Sequence, residues 1–382
     1  MSGSTAVLVA GDFVQTGGMD IANFALASFL ARRQWRVHLV THRADPSLAA
    51  QPNIRIHHVP KPLHSYFAGG PLLERAGRKV ASLLAPLGAR VVVNGANCEW
   101  ADVNWVHYVN AVYKPTTQCG WLRRMKLRLD HPFQVRRERR IVGKAQTVIA
   151  NSERTRRDLI VHLGVPENRI RTVYYGIEAQ RFALDLNEVE RRKRCESLHL
   201  PTDRPLVVFV GGLGDRRKGF ATTFAAWRDL CARSDWPANL VVIGAGAELK
   251  LWIERAQTAG MASRIHFLGF RQDVPAIMAA CHALVAPTMY EAYGIGVQEA
   301  LACGLPAFVS RGSGVAEQYT DLLSDLLLTD FEDPTELREC LLRWHRNPEH
   351  YRTAVRPLTQ AIRQRNWDDM AGEIAAILEE HT

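Results

Sequence analysis

Ala286-Pro-Thr-Met-Tyr-Glu-Ala-Tyr-Gly-Ile-Gly-Val-Gln-Glu-Ala-Leu-Ala-Cys-Gly-Leu-Pro306 is the stretch whose reading decides the fold. An apolar strand, Cys281 to Ala286, runs into it, and Pro287 stops that strand because proline cannot donate to a sheet ladder. A loop follows, with Gly294 and Gly296 at its end. The pattern then predicts a helix from about Ile295 to Cys303, closed by Gly304 and Pro306. Two carboxylates bracket the turn, Glu291 in the loop and Glu299 on the helix. The first N–H groups of a helix lack internal partners and lie at its positive dipole end, so they suit a phosphate. A carboxylate on either side can grip hydroxyls. A phosphate flanked by two polyols describes a nucleotide sugar. An ordinary strand–loop–helix unit with two solvated glutamates has the same spacing, so the rest of the chain decides.

At 382 residues the chain is long enough for two domains. Apolar and charged contents of 47% and 23% are ordinary for a globular protein. No apolar run reaches the length of a membrane span. Met1 to Ala10 lacks a basic flank and reads as a first strand rather than a signal peptide. The seven cysteines are odd in number and contain no Cys-x-x-Cys pair, which argues against a disulfide framework or a zinc site and for a reducing compartment. Charge is divided unevenly. Met1 to Tyr175 holds 25 Lys and Arg against 11 Asp and Glu, a net of +14. Gly176 to Thr382 holds 23 against 28, a net of −5. A basic half beside an acidic half supports two domains and gives the first an anionic neighbour.

In the first half, Thr5 to Ala10, Trp35 to Thr41, Ile54 to Val59, Arg90 to Asn94, Val103 to His107, Gln146 to Ala150 and Arg171 to Tyr174 read as short strands between helices. The earliest helix, Met19 to Arg33, carries Ile21, Ala25, Phe29 and Leu30 at helical period. Strand alternating with helix predicts a parallel, doubly wound α/β sheet. Gly17 and Gly18 stand before the first helix, where a turn or a close approach of backbone to ligand suits glycine; there is no Gly-x-Gly-x-x-Gly. His107 ends a strand, the place where ligands gather in such sheets, and fits either a substrate contact or proton shuttle or a structural histidine. Asn151-Ser152 supplies an N-cap to the helix Arg154 to Leu163.

Two stretches of this half are basic. Gly70 to Leu87 interleaves Arg75, Arg78 and Lys79 with leucines. Trp121 to Lys144 holds Arg123, Arg124, Lys126, Arg128, Arg136, Arg137, Arg139, Arg140 and Lys144 against Asp130 and Glu138. Such faces suit an anionic membrane surface, at about 1 kcal/mol for each basic residue, or are simply solvated. Nucleic acid is not expected, because stacking aromatics and a recognisable binding fold are missing.

The second half enters at Leu206 to Val210, a buried strand. Gly211-Gly-Leu-Gly-Asp-Arg-Arg-Lys-Gly-Phe220 follows, before a helix from Ala221 to Arg233. Glycines with Arg216, Arg217 and Lys218 can cradle a diphosphate, although the P-loop pattern is absent. Strands at Asn239 to Gly244, Arg264 to Leu268, Ala307 to Val309 and Leu326 to Leu328 make this a second doubly wound domain. Phe270 and Arg271, after one of them, offer a surface for a base. Trp367, Met370, Ile374 and Ile377 mark a final helix.

Taken in order, Gly17-Gly18, His107, Ile149-Ala150-Asn151-Ser152, Tyr175-Gly176, Arg217-Lys218-Gly219, Glu291 with Glu299, and Gly314-Val315-Ala316-Glu317 resemble the retaining glycosyltransferases of the GT-B fold, family 4, over nearly the whole chain. The resemblance implies two Rossmann-like domains facing each other across a cleft. Residues 1–178, completed by the C-terminal helix 364–382, would take the acceptor, and 179–363 the nucleotide-sugar donor. It implies that Arg217 and Lys218 pair with the diphosphate, Glu299 holds the ribose, and Glu291 bonds the transferred sugar. Gly294 and Ile295 would add N–H groups to the cradle, beside Tyr293 and Gly212. His107 and Gly17-Gly18 would contact the donor from the first domain. Transfer would retain configuration by front-face attack, with no enzymic nucleophile, no metal (there is no Asp-x-Asp) and no other cofactor. One departure stands at Gly212, where many relatives carry arginine, which leaves Arg216 or Arg217 to supply the charge. The acceptor expected is a glycan or a lipid-linked hydroxyl in polysaccharide or lipopolysaccharide assembly. The expected location is cytoplasmic, with peripheral contact at the inner face of the membrane. A soluble small-molecule acceptor, a nucleotide-sugar 2-epimerase and a non-catalytic binding protein are the alternatives.

Overall fold

Short runs of Val, Ile and Leu that are buried on both faces form parallel strands, because helices must then cover each side of the sheet. The computed structural model describes residues 4–116, 120–182, 186–214 and 216–380, without the side chains of residues 67 and 122–124. It divides into two units, one of Met1–Val112, Asp130–Gly176 and Arg365–Thr382, the other of Tyr113–Leu129 and Ile177–Gln364. The second thus takes in residues 113–129, which sequence alone places with the first half.

The first unit holds β1 (Thr5–Val9), β2 (Asp12–Phe13), β3 (Arg36–Thr41), β4 (Arg43–Ala44), β5 (Ile54–His58), β6 (Arg90–Asn94), β7 (Val103–Val106), β8 (Thr147–Ala150) and β9 (Ile170–Thr172). Seven of these make one parallel sheet in the order β5-β3-β1-β6-β7-β8-β9. The pair β2 and β4 stands apart; two residues each are too few for a sequence pattern to reveal. Helices α1 (Gly18–Arg32), α2 (Pro46–Ala49), α3 (Tyr66–Leu84) and α5 (Glu153–Leu163) belong to this unit, as does α4 (Trp121–Val142) from Asp130 onward. Ser152 caps α5 by accepting from the Thr155 N–H.

The second unit holds β10 (Leu206–Val210), β11 (Asn239–Ile243), β12 (Ile265–Gly269), β13 (Ala283–Ala286), β14 (Ala307–Ser310) and β15 (Leu327–Leu328). Their order is β12-β11-β10-β13-β14-β15, all parallel. Its helices are α6 (Glu188–Ser197), α7 (Phe220–Cys231), α8 (Leu249–Thr258), α9 (Val274–Ala280), α10 (Ile295–Ala302), α11 (Pro334–Arg346) and α12 (Pro348–Gln364). Helix α6 begins with a full capping box between Asn187 and Glu190. The last helix, α13 (Trp367–Glu379), belongs to the first unit. Its N-cap Asn366 packs so tightly on Gly176 that a Cβ there would lie 2.0 Å from the Asn366 carbonyl, which is why glycine stands at that position.

Both sheets run outward from a central strand and then reverse, the doubly wound order. The reversal falls between β1 and β6 and between β10 and β13. In such sheets ligands bind beyond the strand C-termini at that switch.

Candidate active site

In the second unit the loops leaving β10 and β13 meet at the switch point. Their meeting is built into the backbone. Gly219 caps α7 with φ of +72°, and a Cβ on it would fall 1.6 Å from the Pro287 carbonyl oxygen. The Met289 N–H donates to the Arg217 carbonyl at 2.8 Å. The side chains follow. The Lys218 ammonium bonds the Glu291 carboxylate. The Arg217 guanidinium donates to the Tyr290 carbonyl at 3.2 Å and stands 3.9 Å from the same carboxylate. Burial alone would push the Glu291 carboxyl up, but Lys218 and Arg217 outweigh it and hold the group below the usual glutamate range. Arg216 is exposed; its backbone N–H donates to the Thr116 carbonyl. Of the three consecutive cations, Arg217 and Lys218 are therefore the two that the fold turns toward Glu291.

Glycine crowding around this loop continues onto a neighbour that sequence reasoning passed over. Gly244 and Gly246 follow β11, and a Cβ on them would lie 1.9 Å from the Gly211 oxygen and 2.3 Å from the Leu213 carbonyl carbon. The Gly244 N–H donates in turn to Gly269, at the end of β12. Gly-Ala-Gly directly after a buried strand is the signal that marks it. Gly212 has open space above its Cα, with the Ala245 oxygen 3.8 Å from a notional Cβ. Phe270 is 72% exposed, and Arg271 is held by Asp273 through two hydrogen bonds. These two residues are thus not joined into the Lys218–Glu291 cluster by any described contact.

Beyond Glu291 the chain turns at Gly294, φ +116°, into α10. The turn is braced from behind. The Val315 N–H donates to the Tyr293 carbonyl at 2.7 Å, Gly314 to the Glu291 carbonyl at 3.2 Å, and Gln318 to the Tyr293 hydroxyl at 3.0 Å. Ile295 and Gly296 open the helix, and their N–H groups have no partner among the described residues. Glu299 lies on α10 with no hydrogen bond to its carboxylate among the described residues, and Arg181 supplies a weak charge nearby. Burial lifts its carboxyl to about 7. A half-buried carboxylate without a donor suits a ligand that brings hydroxyls, since a hydrogen bond would repay its lost hydration.

The first unit has a different polar centre. His107 follows β7 and is 8% exposed. Its Nε2 lies 3.0 Å from the Asn94 side-chain nitrogen, and its Nδ1 contacts the Tyr175 hydroxyl. Asn94 also bonds Asn23 at 2.6 Å. Asn151 donates to the His107 carbonyl and to the Tyr175 hydroxyl, both at 3.1 Å, while Thr155 donates to Asn151. With the Asn94 amide donating to Nε2, the Nδ1 must carry the ring proton and give it to Tyr175. Burial lowers the imidazole to about 3, so it is neutral at physiological pH. A ring that passes protons near neutrality needs a value close to it; the hydrogen bonds to Asn94 and Tyr175 instead hold this ring in one orientation. Asn23 and Asn94 are residues that sequence reasoning missed, although Asn94 is a polar end to an apolar strand, the same signal that marks His107. Gly17, φ +89°, caps α1 with Gly18 as its first residue. Asp20 lies next to it, its carboxyl raised to about 6 by burial first and by Asp12 second.

Among the described residues, no three His, Cys, Asp or Glu side chains gather as metal ligands would, and no helix is long and apolar enough to cross a membrane.

Comparison with known proteins accounts for both units. Residues 16–181 match the family model described as Glycosyltransferase Family 4, and residues 190–357 the model described as Glycosyl transferases group 1. A D-inositol 3-phosphate glycosyltransferase of Corynebacterium efficiens is 26% identical over 351 residues, covering 81% of this chain and 79% of that protein. An uncharacterized glycosyltransferase of Methanocaldococcus jannaschii is 27% identical, over 44% of this chain and 43% of its own length. Among solved structures, sucrose-phosphate synthase from Thermosynechococcus elongatus superposes with a TM-score of 0.77 at 20% identity, over 99% of this chain and 98% of that one. Anabaena HepE, in complex with UDP and glucose, gives 0.70 at 17% identity, over 98% and 99%.

Proposed function

The chain belongs to the glycosyltransferases of the GT-B fold, and from that premise we propose that it moves a hexose from a nucleotide-sugar donor to a hydroxyl on a glycan or glycolipid, with retention. The observation that carries the proposal is the Arg217–Lys218–Glu291 cluster at the switch point of the second sheet. Two cations beside a glycine loop can take the charge that develops on a departing diphosphate. Lys218 would exchange its Glu291 partner for phosphate oxygens, and Glu291 would be left to bond a sugar hydroxyl. The N–H groups of Ile295 and Gly296 extend the cradle at the helix N-terminus. Glu299 would accept from the ribose hydroxyls. Gly212, Arg216, Tyr293 and Gly294 are proposed as neighbours of the donor, with Phe270 and Arg271 against the base. His107 would meet a sugar hydroxyl only by exchanging Asn94 at Nε2 for it, and Gly17 and Gly18 would offer a close backbone approach.

In the proposed step the bond from the anomeric carbon to the diphosphate oxygen breaks, and that oxygen keeps the electron pair. The acceptor oxygen attacks the same face. Its proton passes to the departing phosphate oxygen, so no enzymic nucleophile is required. Arg217 and Lys218 carry the charge, and the step uses no metal and no other cofactor. The basic first half supports a membrane-side setting, with peripheral contact to an anionic membrane and a role in cell-surface polysaccharide or lipopolysaccharide assembly.

Proton NMR of a sugar nucleotide incubated with the protein and no acceptor tests the reading, with water as a slow surrogate acceptor. The expected result is free sugar released first in the donor's own anomeric configuration, lost in Lys218→Ala. Conversion to a 2-epimer would replace transfer with epimerisation. An unchanged donor, for every nucleotide series that binds, would leave a binding protein.

A further inference from the structure

Charge alone drew attention to the stretch now seen as α4, but the structure spends much of that charge internally. Arg137 bonds Glu74, Arg140 and Lys144 share Glu99, and Arg139 donates to the His162 carbonyl. Glu138, an apparent break in the basic run, is turned inward and 1% exposed. Its carboxylate accepts from the Asn110 N–H at 2.9 Å, the Asn110 side chain at 2.8 Å and the Ala111 N–H at 3.2 Å. The helix is thereby pinned to the loop that follows His107.

One exposed stripe of the helix is apolar. Trp121, Met125, Leu129 and Phe133 are 65%, 47%, 69% and 61% exposed. They recur every fourth residue, so each step turns about 40° around the axis and the four form one slowly winding stripe. Arg128 flanks the stripe and Arg136 continues its face beyond Phe133. Both are exposed and have no partner among the described residues. Glu138 is buried and Asp130 is half-buried, so no exposed carboxylate on this helix opposes an anionic surface.

We propose that α4 docks on an anionic lipid bilayer by inserting Trp121, Met125, Leu129 and Phe133 to the headgroup–acyl boundary, with Arg128 and Arg136 on the phosphates. An aromatic and aliphatic stripe with basic flanks is the composition that lies in a membrane interface rather than across it. Insertion is a different claim from electrostatic attraction, because buried apolar surface holds when salt screens charge. It deepens, and rests on, the membrane contact proposed above.

Vesicle sedimentation of the full chain separates these claims. Vesicles of phosphatidylcholine alone, and with phosphatidylglycerol added, are compared at about 0.1 M and about 1 M salt, between which the screening length falls from about 10 Å to about 3 Å. Wild type should partition to the anionic vesicles and keep a measurable bound fraction at the higher salt. The Leu129→Glu/Phe133→Glu double variant should lose about tenfold or more of that partitioning, about 1.4 kcal/mol at tenfold, with an unchanged melting temperature because both side chains are exposed. Brominated acyl chains should quench tryptophan fluorescence in wild type and less in Trp121→Phe. Binding that disappears at high salt, is indifferent to the double variant and shows no quenching would overturn insertion while leaving the membrane contact. Absence of binding to either vesicle would overturn both.

Discussion

The polar centre around His107 and the one around Lys218 stand at equivalent places, each beyond the C-terminal ends of a doubly wound sheet, yet they are built on opposite plans. Around His107 the groups are neutral, buried and mutually bonded. Asn23, Asn94, His107, Tyr175 and Asn151 form one connected chain. Around Lys218 the groups are charged and partly buried, and the Glu299 carboxylate has no hydrogen bond among the described residues. The first plan fixes a geometry, and a partner for it must match hydrogen bonds already set. The second holds ionic partners that, on the proposed reading, a charged ligand would exchange. The contrast matches the proposed division of labour, with the ionic diphosphate on the second unit and uncharged hydroxyls on the first.

The contrast can be broken most strongly at the charged centre. Lys218→Ala should lower kcat by about 10²-fold or more, the usual cost of losing one transition-state charge contact, while the fold survives because the Gly219–Pro287 packing is untouched. Steady-state kinetics check it, and unchanged turnover would remove the loop from the chemistry. The neutral centre should respond in stability instead. Tyr175→Phe strips the acceptor from two buried donors, His107 Nδ1–H and the Asn151 amide, and should cost about 2 kcal/mol, read by urea denaturation.

Glu299 sharpens the comparison through pH. Its folded value of about 7 lies above the ordinary value of 4.5, so the folded chain keeps a proton that the unfolded chain releases between those two values. Stability from this group is therefore complete below about pH 4.5 and falls as pH rises through about 7. Glu299→Gln should raise stability by about 1–2 kcal/mol at pH 8 and leave it unchanged at pH 4, while weakening nucleotide binding. A stabilisation equal at both pH values would contradict the buried carboxylate. The smallest expected effect is an absence. With His107 lowered to about 3, the pH profile of kcat should carry no limb between pH 5 and 8 that disappears in His107→Gln.

Much of this was legible beforehand, for physical reasons that differ by element. Buried parallel strands such as Leu206–Val210 announce themselves because both faces are apolar and turn residues bound them. Glycines 219 and 294 were legible because positive φ and close packing exclude other residues. Legibility failed where the deciding fact is a contact between distant residues. Nothing local shows that Glu138 turns inward while its arginine neighbours are paired by Glu74 and Glu99, so the basic run looked more uniformly exposed than it is. Nor does a histidine at a strand end reveal whether its ring nitrogens face ligand or, as here, Asn94 and Tyr175. Which of Arg216 and Arg217 turns toward Glu291 likewise needed the turn of the chain at residues 216–218.

The central claim, that the second unit holds a nucleotide-sugar donor on Arg217 and Lys218, is met most directly by a thermal-shift screen of wild type and Lys218→Ala against UDP-, GDP-, ADP- and dTDP-sugars. One nucleotide series should stabilise wild type, by about 2.7 kcal/mol at a hundred times its dissociation constant, with the shift lost in Lys218→Ala. No shift with any series, or an equal shift in the variant, would contradict the account.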